Sequence, residues 1–266
     1  MRFVYCSLFV LVVVPVCVAQ QAASRLTAVD LEAKAIKCRT AKQALKLYEE
    51  STPTMSAPER EKSEARQKYW MEQAEKNAHR VGDKWISGEE FKALAAEADP
   101  LARKAWETLD QDRAGAIDLA DKALAIYPEH VTALFVKGCA CAKEKDYSGA
   151  KNWFGKCVDA TPESLVPRLN LAVCLEIQSD FWGAFQQFEE CANIDCKNPA
   201  LADSFARFIA DMDRDSHATN RKYKRVRTGM EALAKTTNRI PPSSNKGAKS
   251  TGEPQLIYDI STLPTD

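Results

Sequence analysis

Three pentads recur in step along the chain: Asp112-Arg-Ala-Gly-Ala116, Asp146-Tyr-Ser-Gly-Ala150 and Asp180-Phe-Trp-Gly-Ala184 are evenly spaced. In the first two copies a proline follows the alanine at the same offset, at Pro128 and Pro162, so a second marker keeps the same period. A period of about 34 residues holds two helical segments that cannot bury an apolar face alone and gain stability by stacking on their neighbours. The competing reading is a generic antiparallel helical bundle with accidental periodicity, and three coincident pentads count against it. Ala116 and Gly138 are expected where two helices approach closely, since a larger side chain there would push a hairpin apart. Pro128 and Pro162 end one unit and open the next, because proline cannot continue a helix.

Position by position, the pattern resembles the tetratricopeptide repeat. In 131–164, Leu134, Gly138, Ala150, Phe154 and Pro162 stand where that family places its large, small, small, aromatic and proline residues, while Cys141 and Cys157 replace the usual tyrosine and alanine. In 165–198 the matches are Leu171, Ala172, Leu175, Ala184 and Phe188, with Cys196 where the proline belongs and Pro199 arriving late. In 97–130 only the second half, Ala116 to Pro128, matches well.

The resemblance implies an all-α fold, a short tetratricopeptide-type solenoid of helical hairpins forming a right-handed superhelix. Its concave groove would be lined by the first helix of each unit, here by Leu101, Ala105, Phe135, Cys139, Val166, Leu169, Val173 and Ile177. That surface is apolar. The subclass that clamps the carboxylate tail of chaperones needs lysine and asparagine where this chain has Phe135 and Cys139, so that activity is not implied. An apolar groove binds an amphipathic helix or extended apolar peptide from a protein partner, or is filled by the chain's own amino-terminal helices.

The amino-terminal stretch Met1 to Ala19 joins one arginine, a continuous apolar run and small residues, and reads as a cleaved secretory signal. The run falls short of the ~20 apolar residues of a membrane span, and a retained anchor is the alternative. The mature chain would begin near Gln20, exported to a periplasm or secreted. Residues 20–96 read as a helical amino-terminal region, with one apolar stripe over 24–50 and a second helix from a Ser56-Ala-Pro-Glu59 capping box to about His79. Gly82-Asp83 between short apolar runs predicts a miniature β-hairpin at 80–86. Ser87-Gly-Glu-Glu90 opens a helix through Ala96, and Asp99-Pro100 caps and starts the next.

Three units are expected at 97–130, 131–164 and 165–198, followed by a capping helix and basic helical extension over 199–236. Residues 237–266 read as a disordered tail that contains the short apolar patch Leu256-Ile-Tyr-Asp-Ile260. Lys plus Arg equals Asp plus Glu at 37 each, so net charge is zero and no nucleic-acid partner is expected. The basic run Arg221 to Arg227 reads as the solvated end of a helix, and a membrane contact is expected only if the signal segment is retained.

Asp110 to Asp121 resembles a calcium-binding loop, with Asp110, Asp112, Asp118 and Asp121 at carboxylate places and Gly115 at the turn. Its fifth place, Ala114, offers no ligand, and a segment helical from Ala116 cannot wrap an ion. After loss of Cys6 and Cys17 seven cysteines remain, among which Cys157 and Cys174 lie half a repeat apart, where a disulfide is an option in an oxidising compartment. Small buried hydrophobes are the equal alternative. The histidines His79, His130 and His217 are scattered, with His130 expected in a loop, and no nucleophile or phosphate-loop motif accompanies them. The sequence thus predicts an exported, non-catalytic protein-interaction scaffold with no cofactor. A calcium-responsive module and an oligomerising protein with a self-occupied groove are the alternatives.

Overall fold

The computed structural model describes residues 26–214 and 221–236, together with Leu256 and Leu263. The signal segment, His217 and the Pro241 to Pro254 stretch lie outside the described residues. Among the described residues the fold is all-α and tetratricopeptide-like, with one two-stranded β-hairpin.

The amino-terminal region opens with α1 (Ala28–Ala35) and α2 (Ala41–Ser51), so the single stripe expected over 24–50 is broken in the middle. The break is written in two capping boxes. Thr27 and Asp30 cap α1 reciprocally, and Thr40 and Gln43 do the same for α2. The next helix, α3 (Ala57–Glu75), starts at Ser56 without a side-chain cap. Glu59, the expected partner of that cap, instead accepts from the Ala28 amide at 2.8 Å and serves the start of α1. Asn77 adopts a left-handed backbone (φ 47°), and the Asn77 and Ala78 amides bond back to Ala74 and Gln73, which ends α3 before His79.

The hairpin forms as expected, from β1 (His79–Val81) and β2 (Lys84–Ile86), with His79 opposite Ile86 and Gly82 at φ 59° in the turn. The Ser87–Glu90 capping box then opens α4 (Gly88–Thr108). This helix continues through Pro100, so the expected stop at Ala96, the Asp99 cap and the boundary before residue 97 are all replaced by one continuous helix. The alanine stripe Ala95, Ala98, Ala102 and Ala105 is buried along its length, and that packing outweighs the amide lost at proline. Asp99, freed from capping, receives the His130 Nε2 at 2.8 Å.

Three hairpins make up the array: α4 with α5 (Arg113–Ile126), α6 (Val131–Lys143) with α7 (Tyr147–Ala160), and α8 (Leu165–Ile177) with α9 (Phe181–Asp195). Asp112, Asp146 and Asp180 each cap their helix through the amide of the glycine in the same pentad, at 2.9, 2.9 and 3.0 Å. A methyl on any of those glycines would run into the capping carboxylate, which explains the Asp-x-x-Gly spacing. The second and third hairpins also share their turn. Lys145 and Ser179, one repeat apart, are both left-handed (φ 62° and 59°), and the following aspartate amide bonds back to Cys141 or Leu175.

The first hairpin turns differently, with the Asp112 amide on the Thr108 carbonyl and no left-handed residue. Lys145 and Ser179 occupy a place that glycine fills without a Cβ penalty. Lys145→Gly should therefore raise stability by up to ~1 kcal/mol, read as a higher melting temperature in thermal unfolding.

Beyond the array, α10 (Pro199–Arg214) and α11 (Arg221–Thr236) close the carboxyl-terminal end. Phe205 and Phe208 of α10 stack edge-on against Phe188 of α9, and Val226, Met230 and Ala234 line the buried stripe of α11. Arg225 of the basic run lies over the Trp182 ring and Arg227 pairs with Glu231 one turn on, as a solvated helix face does. Among the described residues, no helix is long and apolar enough to cross a membrane.

Candidate functional site

The first helices of the units are α4, α6 and α8, and the second are α5, α7 and α9; α6 packs on α4, α5 and α7, and α8 packs on α7 and α9. The two sets are buried differently. In α7 the buried residues are Ala150, Phe154, Cys157 and Ala160, a single stripe at helical spacing. In α6 nine of thirteen residues are buried, around the whole circumference, and none of the rest is fully exposed. The same holds for α8, where Val166, Pro167, Leu169, Asn170, Ala172, Val173, Cys174 and Glu176 are buried.

The expected groove residues follow from this. Ala105, Phe135, Cys139, Leu169 and Val173 are almost fully buried and Val166 is 7% exposed, while only Leu101 and Ile177 remain half-buried. The layer is therefore covered rather than open. Leu101, Ala105, Phe135, Cys139 and Val166 belong to one apolar cluster, extended by Trp106 against Phe135 at 6.0 Å between ring centroids. Leu169 instead joins a second cluster with Phe188, Leu201 and Phe205.

Two members of the first cluster come from far along the chain. Leu263 is 6% exposed and Leu256 half-buried, and every other member lies between Val81 and Cys174. The tail expected to be disordered over 237–266 thus has both of its described residues packed on the helix array. An apolar side chain is buried wherever it can be, and a continuous apolar layer offers that burial. The sequence signal was present at Leu256, in its short apolar patch. Leu263, isolated among Ser, Thr, Pro and Asp, gave none.

One polar pair sits on the same layer. Glu176, 4% exposed on α8, accepts from Arg207 of α10 at 3.0 Å. Burial pushes its carboxyl above the usual range, against the opposing pull of Arg207. At the other end, the hairpin and α2 region clamp the turn between α5 and α6. Arg39 donates to the Tyr127 hydroxyl at 2.8 Å, Arg80 pairs with Glu129 at 3.0 Å, and His79 stacks flat on Phe91 at 4.0 Å. His130 lies in the α5–α6 loop as expected, where it is the buried cap of α6. Its Nδ1 accepts the Ala133 amide, which leaves the proton on Nε2 for Asp99.

The calcium alternative does not assemble. Asp112 is spent on the α5 cap, Asp118 and Asp121 are already helical, Asp121 pairs with Lys137, and Asp110 pairs with Lys143 at 2.7 Å. Asp118 and Asp121 are fixed on helical backbone, which cannot wrap a cation as a loop does. Among the described residues, no three His, Cys, Asp or Glu side chains are grouped to hold a metal ion. Cys157 and Cys174 are free thiols buried in one cluster, and Cys157 Sγ donates to the Val131 carbonyl of α6 at 3.8 Å. Burial pushes the Cys174 and Cys191 thiols up to about 12 and the Cys139 thiol higher still, so they act as small core hydrophobes.

Comparison with known proteins gives structural neighbours only. The chain is similar to MamA from AMB-1, with 16% identity, 84% of this chain and 93% of that one covered, and a TM-score of 0.42. It is similar to MamA residues 41 to the end from Desulfovibrio magneticus RS-1, with 16% identity, coverage of 73% and 97%, and a TM-score of 0.41. A MamA RS-1 double mutant gives 15% identity, coverage of 79% and 96%, and a TM-score of 0.41. No protein-family model and no curated protein matches the chain.

Proposed function

We propose that this chain is an exported, non-catalytic protein-interaction scaffold whose inner helical layer holds an extended apolar segment of a protein. One observation supports the reading above the rest. The apolar cluster that includes Leu101, Ala105, Phe135, Cys139 and Val166 also takes in Leu256 and Leu263, which are foreign to the repeat array. Such a surface recognises apolar side chains presented on a peptide, and main-chain and rim contacts then set the register.

Because Phe135 and Leu169 are core residues, charged substitutions there would unfold the array rather than probe binding. The half-buried Leu101 and Ile177 are the useful handles. A photo-crosslinking amino acid at either position should give an adduct with the same partner protein, identified by mass spectrometry, and one at the exposed Lys145 should not. Adducts from Lys145 alone would overturn the reading. Export is supported by the Met1 to Ala19 composition, and the mature protein from its own host should start near Gln20 by mass. An intact Met1 end would overturn that part.

A further inference from the structure

We propose that the Glu176–Arg207 pair is a proton-operated latch for the carboxyl-terminal hairpin: α10 and α11 hold the end of the array most firmly with a proton on Glu176 and open more often without it. The latch works whatever protein the array binds. Glu176 lies on α8, the first helix of the third unit, with its side chain 2% exposed, and the Arg207 side chain on α10 is 15% exposed. A single bond joins them, donated by Arg207 Nη2 to Glu176 Oε2 at 3.0 Å. Glu176 Oε1 and Arg207 Nε are buried and make no hydrogen bond. Two charges taken out of water and joined by one bond recover little of their lost hydration, so the ionised form of this contact is costly. A proton adds to Oε1 without disturbing the bond at Oε2. The buried carboxylate then becomes a neutral acid that still accepts from the guanidinium, and the remaining charge sits on the more exposed and more weakly hydrated partner.

Burial pushes the Glu176 carboxyl above its ordinary 4.5, and Arg207 is the charged group that pulls against it. The other charged residues of the surrounding helices are engaged elsewhere or face water. Arg168 of α8 donates to Gln187 at 3.0 Å and to the Pro162 carbonyl at 2.8 Å, and Lys151 of α7 acts on the Cys174 thiol. Lys156 and Asp159 of α7 and Glu189, Glu190 and Asp195 of α9 are exposed, and Asp203 and Asp211 of α10 have partners of their own. A carboxyl held high in the closed state contributes stability that is fully present below the open-state value and is lost as pH rises through the closed-state value. The hairpin therefore loosens toward neutral and alkaline pH. What it covers is apolar: Phe205 and Phe208 of α10 pack edge-on against Phe188 at 5.6 and 5.4 Å, and Phe208 against Phe181 at 5.7 Å. Opening uncovers Phe181 and Phe188 at the end of the array, where another apolar helix can pack.

Native-state amide hydrogen exchange on the full chain, corrected for the intrinsic rate at each pH, reads the opening of α10 and α11 against α7. Protection of α10 and α11 should fall by at least ~3-fold relative to α7 between pH 5 and pH 8. Glu176→Gln, a neutral isostere of the protonated acid, should remove that fall and keep the pH 5 level of protection at both values. Arg207→Met takes away the opposing cation, so its fall should be centred at higher pH than in the unmodified protein. A fall that persists in Glu176→Gln belongs to another titrating group and overturns the latch. Equal protection at both pH values in the unmodified protein overturns it too, as does an unmoved midpoint in Arg207→Met. If Arg207→Met fails to hold α10 at any pH, the Glu176→Gln comparison alone decides.

Discussion

Phe154→Ala is expected to destabilise the protein by about 3–5 kcal/mol, a fall in melting temperature on the order of 10 °C. The ring is fully buried at the centre of the α6–α7 hairpin, 5.5 Å from the Phe135 ring, and its removal leaves a cavity that two rigid helices cannot close. Its partner across the hairpin is Gly138. A Cβ built there meets the Phe154 ring at 2.6 Å, so the glycine is what lets α6 and α7 touch. On an exposed helix Gly→Ala would gain about 1 kcal/mol. Gly138→Ala is expected instead to lose about 1–3 kcal/mol, because overpacking pushes the ring off its rotamer. Combining Gly138→Ala with Phe154→Leu should recover part of that loss, a coupling of at least ~0.5 kcal/mol in a double-mutant cycle from urea denaturation. Strictly additive losses would show that the contact is not what the repeat spacing protects.

The second large effect lies in the amino-terminal region. Glu32 of α1 collects three donors from other helices: the Arg66 guanidinium, the Tyr48 hydroxyl at 2.6 Å and the Trp70 indole at 3.2 Å. Tyr48 and Trp70 are almost fully buried, so Glu32→Ala strands two polar groups away from water. The expected cost is about 3 kcal/mol, seen as faster amide hydrogen exchange in α1 to α3 than in α6. Burial alone would push the Glu32 carboxyl up. The bonds from Arg66, Tyr48 and Trp70 outweigh it and hold the carboxyl below its ordinary 4.5.

The pH dependence follows from that direction. A carboxyl held low in the folded state contributes stability that is fully present above the unfolded value, and loses it as pH falls through the lower folded value. The unmodified protein should therefore lose the Glu32 contribution below about pH 4.5, and Glu32→Ala should show a flatter profile between about pH 3 and 7. Parallel profiles for the two proteins would mean that Glu32 holds no charge-dependent part of the fold.

Much of the local architecture was legible in the residues. Asp146, Gly149 and Ala150 declare a cap, a cap-permissive amide and a close-packed helix start, and their recurrence in step around Asp112 and Asp180 declares a stack. The Gly82 turn and the Ser87–Glu90 box were legible for the same reason: each depends on bonds between near neighbours in the chain. The expectations that changed turned on partners distant in the chain. Glu59 forms the wrong cap by local logic because Ala28 is nearby in space. Asp99-Pro100 reads as a helix start, and α4 runs through it because the array buries its alanines and His130 takes the Asp99 carboxylate.

The candidate site shows the same division. The sequence by itself determined that α6 and α8 are almost wholly apolar, since Phe135, Cys139, Val166 and Val173 have no polar alternative to burial. It determined the repeat period, the caps and the two helical layers for the same reason, because period and capping act within a single turn or unit. Only the tertiary structure decided what those apolar faces are buried against. Hydrophobic attraction has no direction and no address in the chain, so Leu256 and Leu263 join the cluster that holds Phe135 and Cys139 through geometry that no local pattern encodes.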